Sequence, residues 1–237
     1  MTEVFKFKEF EVQQSQSAMK IGTDAVLLGA WINIPESTQS ILDVGAGTGI
    51  LGLQMAQRSF AETIDAVELD SAAYEECVDN FENSPWGDRL FCYHFDFKNF
   101  SKEMDEKYDL IISNPPFFKV SENISTEERN TARSQSELSF EELLKGVNQL
   151  LTLTGNFAVV IPYEREKEFI EMATQFNLFP NQILNVRGQF NSKIKRSLIN
   201  FCREKSSIEI DELTIEISRH NYTTEYIELV EDFYLKM

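Results

Sequence analysis

Histidine is nearly missing from this sequence of 237 residues: His94 and His220 stand alone, and neither sits at the spacing of a metal-ligand pair. Cysteine is also scarce. Cys77, Cys92 and Cys202 are odd in number and form no C-x-x-C pair, so a disulfide framework and a structural zinc are both unexpected. A reduced, cytoplasmic protein without metal is the simple expectation. No apolar run is long enough to span a bilayer. The opening "MTEVFKFKEF" alternates apolar and charged residues instead of forming a secretory h-region. Repeats, low-complexity tracts and Pro/Gly/Ser linkers are absent too, which points to one domain over residues 1–237. The last shortage is of positive charge: 22 Lys and Arg face 39 Asp and Glu, a net charge of −17. Such a surface repels nucleic acid, whose binding depends on phosphate neutralisation. It reads either as a solubility device or as a background on which the few cations are gathered in one place.

Strands and helices alternate along the sequence. "SILDV" (40–44) reads as a buried strand, "ILGLQMAQR" (50–58) as a helix, "TIDAVEL" (63–69) as a strand and "SAAYEECVDNFEN" (71–83) as a helix. "RLFCYHFDF" (89–97) and "YDLIIS" (108–113) are the third and fourth strands. "SFEELLKGVNQLL" (139–151) is a helix that opens with a Ser139/Glu142 capping box. "GNFAVVIP" (155–162) is a strand, 164–176 a helix, and "ILNVRGQF" and "RSLINFC" follow as successive strands. This order predicts an α/β fold: a doubly wound, mostly parallel, seven-stranded sheet with an antiparallel C-terminal edge. Residues 1–35 lead into the sheet, 36–180 form its core, and 181–237 supply the edge and tail.

"LDVGAGTGILGL" (42–53) runs from strand to helix. Gly45, Gly47 and Gly49 permit a tight turn and close backbone approach to a ligand beside a helix N-terminus. The spacing is G-x-G-x-G, neither a dinucleotide fingerprint nor a P-loop. Glu68 then ends one strand, where a carboxylate can accept ribose hydroxyls, and Asp96 ends the next. The series resembles the S-adenosylmethionine-dependent methyltransferases of the Rossmann-like class. That resemblance implies that Asp43 and the Gly45–Gly49 backbone surround the methionine moiety. Glu68 then holds the ribose, and Asp96, with Phe97 beside it, the adenine.

"NPPF" (114–117) resembles the fourth motif of methyltransferases that act on a planar nitrogen. The chemistry accounts for the residue types. The lone pair of an adenine N6 amine is delocalised into the ring, and two acceptors aimed at its hydrogens favour a pyramidal, nucleophilic nitrogen. Asn114 Oδ1 and the Pro115 carbonyl can be those acceptors, aligned in advance by two prolines. Phe117 can stack on an extruded base. Phe118 is either a second base contact or core packing. Upstream, "MKIGTDAVLLGAW" (19–31) admits two readings. Thr23 or Asp24 caps a helix that buries Val26, Leu27 and Trp31, or Lys20, Thr23 and Asp24 lie over the cofactor and target-base pocket.

With that segment, and with "NSPWGDR", "LSF" and the terminal "DFYL", the sequence resembles the bacterial tRNA(Val) adenine-N6-methyltransferase family. The resemblance implies S-adenosylmethionine as cofactor and tRNA as partner, with methylation at N6 of the adenosine 3′ to the anticodon. Related motifs serve guanine N2, DNA adenine and protein glutamine amides, because a planar nitrogen is common to all. How so acidic a chain would hold RNA has one local answer. "VRGQFNSKIKRSLINFCREK" (186–205) carries six cations against Glu204. Its hairpin would present Phe190, Lys193, Lys195 and Arg196 to phosphate and base, or would merely protect a sheet edge. Arg129 and Arg133, in the polar stretch 119–137, either meet phosphate or pair with Glu127 and Glu128. A monomer is expected.

Overall fold

The structure, a computed structural model, describes residues 4–17, 20–116 and 138–236. Strands β1 (Val4–Lys6) and β2 (Glu11–Gln13) form a small antiparallel hairpin. The main sheet contains β3 (Ser40–Val44), β4 (Thr63–Glu68), β5 (Leu90–His94), β6 (Tyr108–Ser113), β7 (Leu151–Pro162), β8 (Phe179–Gln189), β9 (Ile194–Cys202), β10 (Glu209–Ser218) and β11 (Asn221–Tyr222). Their order is β11-β10-β8-β9-β7-β6-β3-β4-β5. The seven strands read from the sequence, β3 to β9, are contiguous within it. The sheet is nevertheless two strands wider than expected. β9 runs antiparallel to β7 and β8, but the outer side is closed by β10, parallel to β8, and by β11, antiparallel to β10. β10 escaped the sequence reading because it is an edge-type strand: of its ten residues only Leu213 is buried.

Seven helices complete the molecule: α1 (Thr23–Trp31), α2 (Ile50–Arg58), α3 (Ser71–Glu82), α4 (Phe97–Glu103), α5 (Phe140–Leu150), α6 (Glu166–Gln175) and α7 (Thr224–Val230) among the described residues. One core packs α1, α2, α3, α7 and the hairpin residues Phe7, Phe10 and Val12 on one face of the sheet. A second packs α4, α5 and α6 on the other face. The helix α5 shows how locally the sequence specifies such packing. Leu143, Leu144, Val147 and Leu150 make one buried face, and the capping box closes as expected. Ser139 N donates to Glu142 Oε2 at 2.9 Å and Glu142 N to Ser139 Oγ at 3.2 Å.

Two local expectations fail. Neither Thr23 nor Asp24 caps α1: Gly22 is the N-cap, without a side-chain hydrogen bond, and Trp31 is only partly buried. The helix is held by tertiary contacts instead. An added Cβ at Gly29 would stand 2.2 Å from Gln54 Oε1 on α2, and Arg58 Nη1 donates to the carbonyls of Gly29 and Ile32 at 2.6 and 2.8 Å. The third core strand also stops early, at His94. Asp96 takes an extended conformation and caps α4, its Oδ1 accepting from Lys98 N at 2.8 Å, so Phe97 is the first helical residue.

The hairpin is tied to a distant part of the chain. Phe7 bridges to Tyr234, and Lys8 N donates to Phe233 O at 2.8 Å. The rings of Phe5 and Phe7 lie 6.2 and 5.8 Å from that of Tyr234. Cys77, Cys92 and Cys202 are free thiols. No helix among the described residues is long and apolar enough to cross a membrane.

Candidate active site

The sheet order reverses at β3, which pairs with β4 on one side and β6 on the other. Ligands of such sheets bind outside the carboxyl ends of the strands at that point. The glycine loop lies there, with Gly45, Gly47 and Gly49 at φ of 72°, 56° and 79°. At Gly45 and Gly47 an added Cβ would meet nothing within 4 Å. Conformation therefore selects these glycines, and open space remains above them. Gly45 N and Ala46 N both donate to Val67 O, at 2.9 and 3.2 Å, which fastens the loop to β4. Gly49 lies behind, as the N-cap of α2, where an added Cβ would stand 2.6 Å from the Phe81 ring and 2.8 Å from Cys77 Sγ.

Glu68, at the end of β4, joins two loops. Its Oε2 accepts from Gly47 N at 2.8 Å, and its Oε1 accepts from Leu69 N and Asp70 N at 2.9 and 2.8 Å. A carboxylate has about four acceptor sites, so three are already engaged and the bidentate ribose contact expected from the sequence must share them. Asp43 is wholly buried behind the glycine loop. Its Oδ2 accepts from Gly52 N at 3.1 Å, and Oδ1 has no hydrogen-bond partner among the described residues. Burial pushes the Asp43 carboxyl up to about 7; the Gly52 N–H opposes the rise and the nearby Glu68 charge adds to it.

A cavity of about 270 Å³ opens over these groups. Gly45 and Gly47 form its floor, with Glu68, Leu69 and Asp70 on one wall. Phe95, Asp96, Phe97 and Lys98 line a second wall. Ser113, Asn114, Pro115 and Pro116 line the third, and Ser17 and Leu138 border the cavity. Ser113 Oγ donates to Val44 O at 2.8 Å, so the end of β6 that carries Asn114 is locked to the end of β3. Pro115 is buried and Pro116 exposed.

Of the residues read from the sequence, Gly45, Gly47, Glu68, Asp96, Phe97, Asn114 and Pro115 come together here. Asp43 and Gly49 stand behind the wall, and Lys20 and Thr23 are exposed outside the lining. Phe117, Phe118, Arg129 and Arg133 fall outside the described residues. The basic hairpin differs in detail from its sequence reading. Phe190, Lys193 and Lys195 are exposed. Arg196 belongs to β9, and its Nε donates to Asp24 Oδ2 at 2.6 Å. Arg187 pairs with Glu212. Arg203 holds carbonyls, Asn148 O at 2.7 Å, Leu151 O at 3.1 Å and Thr152 O at 3.2 Å.

Two lining residues, Asp70 and Lys98, and one residue behind the lining, Glu76, escaped the sequence reading. Asp70 had a signal, since it follows a strand and caps α3 through Ala72 N and Ala73 N. Lys98 also had one, two residues after Asp96; its Nζ lies 3.7 Å from Asp96 Oδ2 and 3.5 Å from Glu142 Oε1. Glu76 had none. It is buried on α3 and accepts from Ser15 N, Gln16 N and Ser17 N at 2.6, 3.0 and 2.8 Å, holding the segment that brings Ser17 to the cavity. Burial works to raise its pKa, but the hydrogen bonds from Ser17, Gln16 and Ser15 outweigh it and leave the carboxyl below its usual value.

A glycine turn under a mostly apolar cavity, with acids closing successive strands at the switch point, defines a Rossmann-like, S-adenosylmethionine-dependent methyltransferase. The methyltransferase small domain model matches residues 14–182. The fold is similar to that of a "predicted O-methyltransferase" from Agrobacterium tumefaciens, with a TM-score of 0.70 and 18% identity over 89% of this chain and 96% of that one. Sequence relatives narrow the class. A "tRNA1(Val) (adenine(37)-N6)-methyltransferase" of Christiangramia forsetii is 54% identical over 98% of both chains. One of Flavobacterium johnsoniae is 52% identical over 99% of this chain and 100% of its own. The chain belongs to the tRNA1(Val) (adenine(37)-N6)-methyltransferase family.

Proposed function

We propose that this protein methylates N6 of an adenine in tRNA, at the adenosine 37 of tRNA1(Val) that its relatives' name specifies. It acts as a single-domain monomer in the cytoplasm and needs no metal. The observation that carries the reading is the placement of Asn114 and the two prolines in one cavity with Glu68 and Asp96. When bound, S-adenosylmethionine supplies an electrophilic methyl group on a positively charged sulfur. The residues present fit this cofactor. The space above Gly45 and Gly47 admits close backbone approach, the remaining acceptor capacity of Glu68 would hold the ribose, and Asp96 would hold the adenine amine.

The target adenine enters beside Asn114. Asn114 Oδ1 and the Pro115 carbonyl accept its two amine hydrogens. They thereby favour a pyramidal nitrogen, with the lone pair freed from the ring. The Ser113–Val44 bond and the fixed φ of both prolines keep those acceptors aligned before the base arrives. The methylated nitrogen loses its proton to water, since a protonated arylamine is a strong acid and needs no strong base.

Incubation with labelled cofactor, followed by separation of total tRNA, ribosomal RNA, DNA and protein, tests the proposal. Label should appear in tRNA and digest to N6-methyladenosine. Label in ribosomal RNA as N2-methylguanosine, or in a protein glutamine amide, refutes it.

A further inference from the structure

A second groove lies on the same edge of the sheet, with a volume of about 800 Å³ and walls from two segments. Pro162, Tyr163 and Glu164 form one side; Arg187 and Ser192 to Arg196 form the other. Tyr163 opens a single 3-10 turn directly after β7 and is 41% exposed. Its ring and hydroxyl have no aromatic or hydrogen-bonding partner among the described residues, so its face is open to the groove. We infer that this groove binds the nucleotide flanking the target adenine, with the Tyr163 ring as its stacking face and Lys193 and Lys195 beside its phosphate. The inference rests on the proposed tRNA reading and adds a substrate subsite to it.

Register sets the distance. Ser113 on β6 is paired with Val159 on β7. Asn114 is one residue beyond that level and Tyr163 four, so they differ by three strand residues and one interstrand step, about 11 Å in all. An adenine extruded into the Asn114 site leaves its neighbour on the strand within that range. A flanking nucleotide needs a flat apolar face and cations to one side of it, and the groove offers both. Lys193 and Lys195 are exposed and, among the described residues, carry no ion pair. Arg187 is already paired with Glu212 and Arg196 with Asp24. That leaves Lys193 and Lys195 as the groove's cations for phosphate, which orients the strand across the ring. Stacking of this kind tolerates any base, so the subsite secures position rather than sequence.

The test uses the full-length protein and anticodon stem-loop RNAs, intact or abasic at one or the other neighbour of the target. Tyr163→Ala should raise KM for intact RNA roughly 5- to 150-fold, with the effect in KM rather than kcat. Tyr163→Phe should restore most of the affinity. On the RNA abasic at the stacked position, wild type and Tyr163→Ala should become equal. S-adenosylhomocysteine binding by each variant reports whether the sheet is intact. An unchanged KM for Tyr163→Ala, or an equal loss on both abasic RNAs, overturns the subsite while leaving the methylation reading in place. A wild type that labels protein and no RNA overturns that reading, and the subsite with it.

Discussion

Glu68→Gln separates the two tasks of the carboxylate under the cofactor pocket. The substitution keeps size and hydrogen-bonding reach but replaces one oxygen with a donor. The retained oxygen will face Leu69 N and Asp70 N, because two bonds outweigh one. The new amide then faces Gly47 N, now held by Glu68 Oε2 at 2.8 Å. A charge-assisted bond contributes about 1.5–3 kcal/mol, and an orphaned N–H costs about 1–3 kcal/mol. Cofactor affinity should fall roughly 10- to 150-fold, since Gly47 floors the cavity and the last acceptor site weakens as well. The melting temperature without ligand should fall by about 2–10 °C. Glu68→Ala should lower it further, because all three N–H groups lose their acceptor. Calorimetric titration with S-adenosylhomocysteine and a thermal melt measure the two effects. An unchanged affinity for Glu68→Gln, or a Glu68→Ala protein that melts like wild type, would refute the role assigned to this side chain.

Asp43→Asn should be most stabilising at high pH. An acid whose folded pKa is raised from 3.8 to about 7 destabilises the fold as it ionises, so stability is lost between those values and stays lost above them. The melting-temperature gain of the variant over wild type should be larger at about pH 8 than at about pH 5, and the reverse order would contradict the assignment. Asn114→Ala should cut the single-turnover rate at saturating cofactor roughly 10²- to 10³-fold, because the missing acceptor matters most as the amine pyramidalises. A loss confined to RNA affinity would reassign it. Replacing Lys193 and Lys195 by Ala should reduce the log–log salt slope of RNA binding by about 0.7–0.9 for each phosphate no longer neutralised, without altering cofactor affinity. Arg196→Ala, by contrast, should lower the melting temperature by freeing Asp24, so the two effects are resolved by filter binding and melting in parallel.

What the sequence made legible depended on how far apart partners lie along the chain. The capping box of α5 closes within four residues, and its start was readable to the residue. The glycine loop and the strand-ending acids were readable for the same reason: the turn and its φ values are local. Asp96 was found, but its cap on α4 was hidden by the apolar run before it. Glu76 was invisible because its donors, Ser15 to Ser17, come about sixty positions earlier. Arg196 looked like a phosphate contact because Asp24 is 172 positions away. The acidity of β10 concealed a strand that buries only Leu213 and is held by its backbone pairing to β8 and β11.

The contact between Phe7 and Tyr234 sets an order of events during synthesis. Residues leave the ribosome from the amino end at about 5–20 per second, so Phe7 emerges on the order of ten seconds or more before its partner. In that interval β3 to β7 and α3 become available, and Glu76 can take hold of Ser15 to Ser17. The hairpin on the other side of that segment still lacks Phe233 and Tyr234. Asn80 on α3 already exchanges hydrogen bonds with Gln13, at 2.7 and 3.0 Å, so the nascent hairpin is held at its α3 end before the tail reaches it. Completion of the tail then adds Phe233 and Tyr234 to the far end of the hairpin, so the amino end of the chain makes its last contacts with the residues synthesised last.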